Sequence, residues 1–247
     1  MSRTAKKIIA VVLLLAVWQA AAMLLDQKVL LASPVQVFIR LFTLWKEPEF
    51  VSAIVFSLLR IAGGFLLAFI TGNILAVLAG KHEWIEILLS PVMITIKTVP
   101  VASFIIIALV WLSSRRLSIF ISFLMVLPVI YNNVLKGIRC IDVKMNEMAE
   151  VYRLPWGRKF RYIWLPAIKP YLFSGTSIAL GMAWKAGIAA EVIGIPEGSI
   201  GEMLFNAKIY LNTTDLFAWT VIIVAVSVLC EKAVMWLLEK AYERYCS

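Results

Sequence analysis

The sequence contains few of the residues from which disulfide scaffolds and most catalytic sites are built. It has three cysteines, Cys140, Cys230 and Cys246, without a CxxC pair, and a single histidine, His82. A disulfide framework needs a high density of cysteine, and a histidine metal site or a Ser-His-Asp triad needs histidine beside other reactive groups. The composition therefore argues against a disulfide-rich domain, a histidine-based metal site and a triad hydrolase.

Charged residues are also scarce, at 16% of the 247 residues, whereas 62% are apolar and the mean hydropathy is +0.90. Typical soluble domains contain about 25% charged residues and about 45–50% apolar ones. A soluble fold of this length could not bury so much apolar surface in one core. We therefore predict an integral membrane protein.

Six apolar runs are long enough to cross a bilayer, which takes about 20 apolar residues per helix. The runs cover residues 8–25, 61–79, 91–112, 117–135, 171–190 and 216–238. This pattern predicts an all-α membrane protein with about six transmembrane helices, organised as a single domain over residues 1–247.

Two segments near the N-terminus need separate interpretation. The first run could be a signal peptide, because Ala20-Ala21-Ala22 offers a cleavage site, but its length favours a retained helix. After it, Val37, Leu41 and Leu44 recur at helical spacing behind Ser33-Pro34. We predict a short helix over residues 33–46 that lies in the membrane interface.

Positive charge is distributed unevenly between the two sets of loops. With the N-terminus inside, the inner segments carry 15 Lys and Arg residues and the outer segments carry 6, with Arg115-Arg116 as the main exception. Cytoplasmic loops of membrane proteins carry the excess of Lys and Arg. Both termini are therefore predicted to lie in the cytoplasm.

Small residues recur at every fourth position in two of the runs. One row extends from Gly64 to Gly80 behind Arg60, and the other from Gly175 to Gly187 ahead of Glu191. Such rows allow helices to approach closely in lipid. They are compatible with static packing or with helix contacts that move during a functional cycle. Three prolines are each expected to interrupt a helical hydrogen bond: Pro91, Pro100 and Pro128.

Four charged residues lie within or at the edge of the apolar runs: Arg60, Lys97, Lys185 and Glu191. Charge inside a membrane usually marks a functional path, so these residues are candidates for contact with a transported solute. Lys97 and Lys185 could instead extend toward an interface, and Arg60 could mark the start of its span.

The segment between the fourth and fifth runs, residues 136–169, has a helical design of its own. Asp142 can cap a helix in which four residues share one face: Met145, Met148, Ala149 and Tyr152. A second short helix is predicted over Trp156–Leu165, ending at Pro166. Two short helices with aromatic and charged residues are suited to docking a protein, although a basic loop could also lie against anionic lipid.

Within this segment, Glu147-Met148-Ala149 followed by Leu165-Pro166 resembles the EAA loop of ABC importer permeases. Further similarity points to the nitrate, sulfonate and taurine branch of that family. The residues that carry it are 58–65, 98–100, Leu127-Pro128, Asn132, Gly137 and 190–201.

Two positions depart from the family pattern. Met148 replaces the middle alanine of the triplet, which is a mild change on an apolar face. Arg153 stands at the glycine position of the following turn, where a positive φ would be costly for a residue with a side chain. Pro155 and Gly157 offer an alternative turn.

The resemblance implies an importer made of two copies of this chain, two cytoplasmic ATPases and an extracytoplasmic substrate-binding protein. The loop would be the site of contact with the ATPase through Glu147, Met148, Ala149, Arg153, Gly157, Arg158, Leu165 and Pro166. No GxxxxGK[ST] phosphate-binding loop occurs in the sequence, so ATP would be used by the partner subunit. The expected protein is a multi-pass plasma-membrane subunit, not an enzyme, with no cofactor of its own and no nucleic-acid partner.

The same branch implies a small anionic or zwitterionic organic solute, similar to sulfonates, nitrate, taurine or a vitamin precursor, moved by alternating access. A stand-alone six-span channel or secondary carrier is the competing interpretation. Carriers more often contain acidic residues in mid-span or paired inverted repeats, and neither feature is evident in the sequence.

Overall fold

The computed structural model describes residues 3–25 and 30–246, and every regular element in these ranges is a helix. We number the α-helices in chain order: α1 Arg3–Leu25, α2 Pro34–Leu44, α3 Pro48–Lys81, α4 Glu83–Thr98, α5 Val101–Leu109, α6 Ser114–Arg139, α7 Val143–Val151, α8 Trp156–Lys159, α9 Leu165–Gly194, α10 Ile200–Ile209 and α11 Thr213–Cys246. A π-helical segment, Phe160–Trp164, joins α8 to α9.

Helices α3, α6 and α9 form the centre of the fold. The first row of small residues packs α3 in parallel against α6: Gly64 lies against Ile119, and Gly80 lies against Ile138. A Cβ atom on Gly64 would stand 2.3 Å from the Ile119 carbonyl oxygen. Only a residue without a side chain permits this approach.

The second row packs α9 in the opposite direction against the same two helices. Gly175 lies against Asn133 of α6, while Gly187 contacts both Ile61 of α3 and Ser122 of α6. Both rows are therefore used within one chain, as close contacts in a tightly packed three-helix core.

Among the described residues, five helices are long and apolar enough to cross a membrane, or up to six if the bent pair of α4 and α5 counts as one span. The predicted third span is not one helix, because the chain turns by 99° between Thr98 and Val101. Pro100 explains the break, since it lacks the N–H that a continuing helix needs. Pro91 and Pro128, by contrast, lie inside continuous helices.

The short helix predicted after the first span is confirmed as α2. Ser33 and Gln36 form a capping box at its start. Arg40 pairs with Asp215 at the beginning of α11 and with Glu47 at 2.7 Å. The hydrogen bond with Asp215 raises the pKa of Arg40 above its ordinary value. These contacts fix α2 to the last membrane helix.

The helices define two ends of the bundle. One, the loop end, contains Lys81, Arg139 and the start of α9. There, an ion pair between Glu86 and Arg139 connects α4 to α6. The other, the far end, contains the starts of α3, α6 and α11 together with α10, a short helix that the sequence pattern did not predict.

Candidate coupling loop and substrate path

Helix α7 begins as predicted, with the Asp142 carboxylate accepting a hydrogen bond from the Lys144 N–H at 2.9 Å. Its expected apolar face is not buried as a unit, however. Ala149 is only 1% exposed, whereas Met145, Met148 and Tyr152 are exposed. Helix α7 has only nine residues, and it packs against the rest of the chain through the single small residue Ala149.

The remaining apolar side chains of α7 and its C-cap therefore point away from the core. The exposed set comprises Val143, Met145, Met148, Val151 and Tyr152, with Val151 at 79% and Tyr152 at 73%. Glu147 is also exposed, on the side of the helix opposite Ala149. We call these six residues the α7 face. An apolar surface beside charged residues is typical of a protein-docking site.

The turn after α7 is made at Arg153, not at Pro155 and Gly157. Arg153 has φ +49°, the left-handed conformation that favours glycine. The Leu154 N–H donates to the Ala149 carbonyl, and the Arg153 N–H donates to the Glu150 carbonyl, each at 2.9 Å. This is the Schellman hydrogen-bond pattern that ends helices, so the family's turn stands in its usual place despite the arginine.

The second predicted helix does not end at Pro166 but continues into α9. In the π-helical segment, the Leu165 N–H donates to the Phe160 carbonyl five residues earlier. The wider turn accommodates Pro166, which has no N–H to donate. Residues from Trp156 to Gly194 therefore form one uninterrupted helical rod.

The remaining loop residues have mixed environments. Ile163 and Trp164 are buried, Leu165 is half-buried, and Gly157, Arg158 and Pro166 are exposed. Lys159 and Glu150 form an ion pair at 3.5 Å that connects α8 to α7.

At the far end, Arg60 stabilises the connection between two core helices. Its Nε donates to the Arg115 carbonyl oxygen at 2.7 Å, and its guanidinium lies 3.4 Å from the centroid of the Phe56 ring. Helix α3 begins at Pro48, so Arg60 lies within this helix and not at its first turn.

Glu191 is fully buried near the same end. Its Oε2 accepts hydrogen bonds from Ser57 Oγ at 2.6 Å and from the Gly201 N–H at 3.4 Å. Ser57 Oγ in turn accepts from the Ile200 N–H at 3.0 Å. Glu191 and Ser57 thus hold the first turn of α10 against α3 and α9, and no sequence signal linked the two residues.

Lys97 and Lys185 are both exposed in the single chain. One apolar cluster contains the sequence neighbours of three of the charged candidates: Ile96 precedes Lys97, Ala186 follows Lys185, and Ala190 precedes Glu191. Lys97 also lines a cavity of about 80 Å³ together with Glu86, Tyr131 and Asn132. The two lysines therefore differ from Glu191 in exposure, since Glu191 is fully buried.

Residues 72–244 match the family described as binding-protein-dependent transport system inner membrane component. The chain belongs to this family. The resemblance to ABC importer permeases is confirmed, as is the all-α membrane fold with five to six spans. Within the family, the permease is a non-enzymatic inner membrane component that acts with a substrate-binding protein and a separate ATPase.

Several relatives of this permease have named substrates. It is 29% identical to a putative aliphatic sulfonates transport permease of Bacillus subtilis, over 92% of this chain and 83% of the relative. It is 32% identical to a nitrate import permease of Synechococcus elongatus, over 78% and 72% of the two chains. A bicarbonate transport system permease of the same organism is 31% identical, over 73% and 66%.

Proposed function

We propose that this permease imports a small anionic or zwitterionic organic solute by alternating access, powered by a cytoplasmic ATPase. In this proposal residues 1–247 form one permease domain with both termini in the cytoplasm. Two copies assemble with two ATPases and one binding protein. The observation that carries the proposal is the exposed α7 face on the loop end of the bundle.

The charge of the loop supports its role as the docking site. Residues 136–169 contain eight Lys and Arg residues against three Asp and Glu residues, a net charge of +5. Glu147 and Met148 lie on the exposed α7 face, while Ala149 and Arg153 shape the helix and its turn. Arg158 is exposed on α8, where it can meet an acidic group of the ATPase.

The helical rod supplies a physical route from the ATPase to the far end. At 1.5 Å per residue, the helix from Trp156 to Gly194 is roughly 57 Å long. It passes through Leu165 and Pro166 without a break and carries Glu191 near its other end. A displacement of the loop is therefore transmitted to α10, which Glu191 and Ser57 hold.

The proposed solute class rests on charge. The named relatives transport sulfonates, nitrate or bicarbonate, all of which are anions. Lys97 and Lys185 are the proposed solute-facing cations, because both are exposed and a sequence neighbour of each belongs to one apolar cluster. Arg60 and Glu191 belong to the far end of this path, where they fix the helices that border it.

Docking is tested by placing a charge on the α7 face. We expect Val151→Asp to abolish co-purification of the ATPase and ATP-dependent uptake, because burying an unpaired carboxylate in an interface is costly. Tyr210→Asp is the matched control, since Tyr210 is 80% exposed at the far end and Val151 is 79% exposed at the loop end. Glu147→Ala should weaken the same association without introducing a charge.

The readouts are membrane insertion, ATPase co-purification and uptake into proteoliposomes. If Val151→Asp binds the ATPase as the unmodified permease does, the docking assignment is wrong. Uptake by the permease alone, without ATPase or ATP, would instead support a channel or secondary carrier.

A further inference from the structure

We propose that an anionic phospholipid binds in a groove at the loop end, with an acyl chain against α3, α9 and α11 and its phosphate at Lys169. The proposal requires only that the chain spans the membrane. It does not depend on the transported solute or on the ATPase contact.

The groove has a volume of about 300 Å³ and a nearly continuous apolar lining. The residues that form it are Phe69, Asn73, Phe160, Leu165, Leu172, Phe173, Leu238, Ala241 and Tyr242. Asn73 directs its side-chain amide to the Phe69 carbonyl at 2.7 Å, which satisfies that donor within its own helix. An apolar space of this kind offers water few partners, so hydrocarbon is the favoured occupant.

A lysine is held at the rim of the groove by two of its lining residues. Lys169 Nζ lies 4.0 Å from the centroid of the Tyr242 ring and 5.5 Å from that of Phe173. The two rings meet edge to face at 6.5 Å. Cation–π contacts fix the ammonium group in position without neutralising its charge.

The ammonium group therefore remains available to an anion. None of the ion pairs between described residues includes Lys169. The surrounding loop is strongly basic, although Glu239 and Glu243 of α11 reduce the local potential. A phosphate without a compensating positive headgroup fits this environment better than a zwitterionic lipid does.

The test compares lipid binding to the purified full-length permease by native mass spectrometry. Phosphatidylglycerol and phosphatidylcholine with identical acyl chains are the probes, and tighter binding of phosphatidylglycerol is expected. Lys169→Gln should reduce the affinity for phosphatidylglycerol roughly fivefold, since one lysine near an anionic surface contributes about a fivefold gain in binding. The affinity for phosphatidylcholine should not change. Lys136→Gln is the matched control, because Lys136 lies 6.0 Å from the Tyr171 ring at the same end but outside the groove.

A second variant tests the acyl site. Ala241→Trp places a large side chain in the groove and should weaken binding of both lipids. Glycerol 3-phosphate, which has the phosphate but no acyl chain, should not displace the lipid at equal concentration. Equal binding of the two lipids, equal effects of Lys169→Gln and Lys136→Gln, or displacement by glycerol 3-phosphate would each overturn the proposal.

Discussion

Arg153 adopts a backbone conformation that its side chain disfavours, in a turn whose hydrogen bonds are all formed. A left-handed conformation costs a residue with a Cβ about 1–2 kcal/mol. Glycine removes this strain, but it loses more backbone entropy on folding, at a cost of about 0.5–1 kcal/mol. We expect Arg153→Gly to stabilise the loop by up to about 1 kcal/mol. Hydrogen exchange at the amides of residues 150–154 should then become slower.

Arg158→Gly is the control for this change, because Arg158 lies in α8 and does not have a positive φ. There the same replacement should destabilise the loop by about 1 kcal/mol, the helical penalty of glycine. Faster exchange in Arg153→Gly would show that the arginine side chain contributes more than its backbone strain costs.

Ser57 and Glu191 form the second residue-scale feature with a measurable effect. Ser57→Ala leaves the Glu191 carboxylate and the Ile200 N–H without this shared partner in a buried position. Each such loss costs about 1–3 kcal/mol, so a clear decrease in thermal stability is expected. Ser52→Ala should have little effect, since Ser52 is exposed on the same helix and its hydroxyl donates to the Glu49 carbonyl one turn earlier. Similar melting temperatures for both variants would contradict the role assigned to Ser57.

Among the elements, α3 provides a test of the small-residue packing with two adjacent glycines. Gly64→Ala would place a Cβ 2.3 Å from the Ile119 carbonyl oxygen, whereas a Cβ on Gly63 meets no atom within 4 Å. We expect Gly64→Ala to destabilise the permease by about 1–3 kcal/mol. Gly63→Ala should be neutral or stabilising by up to about 1 kcal/mol. Thermal unfolding in detergent measures the difference, and equal effects would show that α3 and α6 separate easily.

The sequence predicted elements well where a local pattern decides them. Asp142 at the start of α7 and Ser33 at the start of α2 are examples, since a cap is formed by neighbours in the chain. The prediction was wrong at Pro166, because a π-helical turn accommodates the proline there. It also missed α10, whose position depends on a contact between Ser57 and Ile200 that are 143 residues apart.

For the whole molecule, composition and hydropathy were sufficient to indicate a membrane protein of about six spans. The candidate site was less accessible from the sequence. The buried position of Glu191 and the outward orientation of the α7 face depend on how α3, α9 and α10 pack. The pattern of apolar residues along a single segment carries no information about how separate helices pack.

The proposed anion path also concerns the whole molecule, and substitution of Lys97 is its most direct test. We expect Lys97→Gln to reduce anion uptake roughly fivefold, because a lysine about 4 Å from an anion in water contributes roughly 1 kcal/mol of attraction. Lys240→Gln should leave uptake unchanged, since Lys240 lies over the Trp236 ring at the loop end. Unchanged anion uptake by proteoliposomes containing Lys97→Gln would remove Lys97 from the path.

The bend between α4 and α5 has a consequence for hydration. A helix that ends inside a bilayer leaves carbonyl groups without partners in the same helix, and hydrocarbon offers no hydrogen-bond donor to them. The backbone from Thr98 to Val101 must therefore face protein or water. Since Lys97 immediately precedes this break, water at the break would let a hydrated anion reach Lys97 without crossing hydrocarbon.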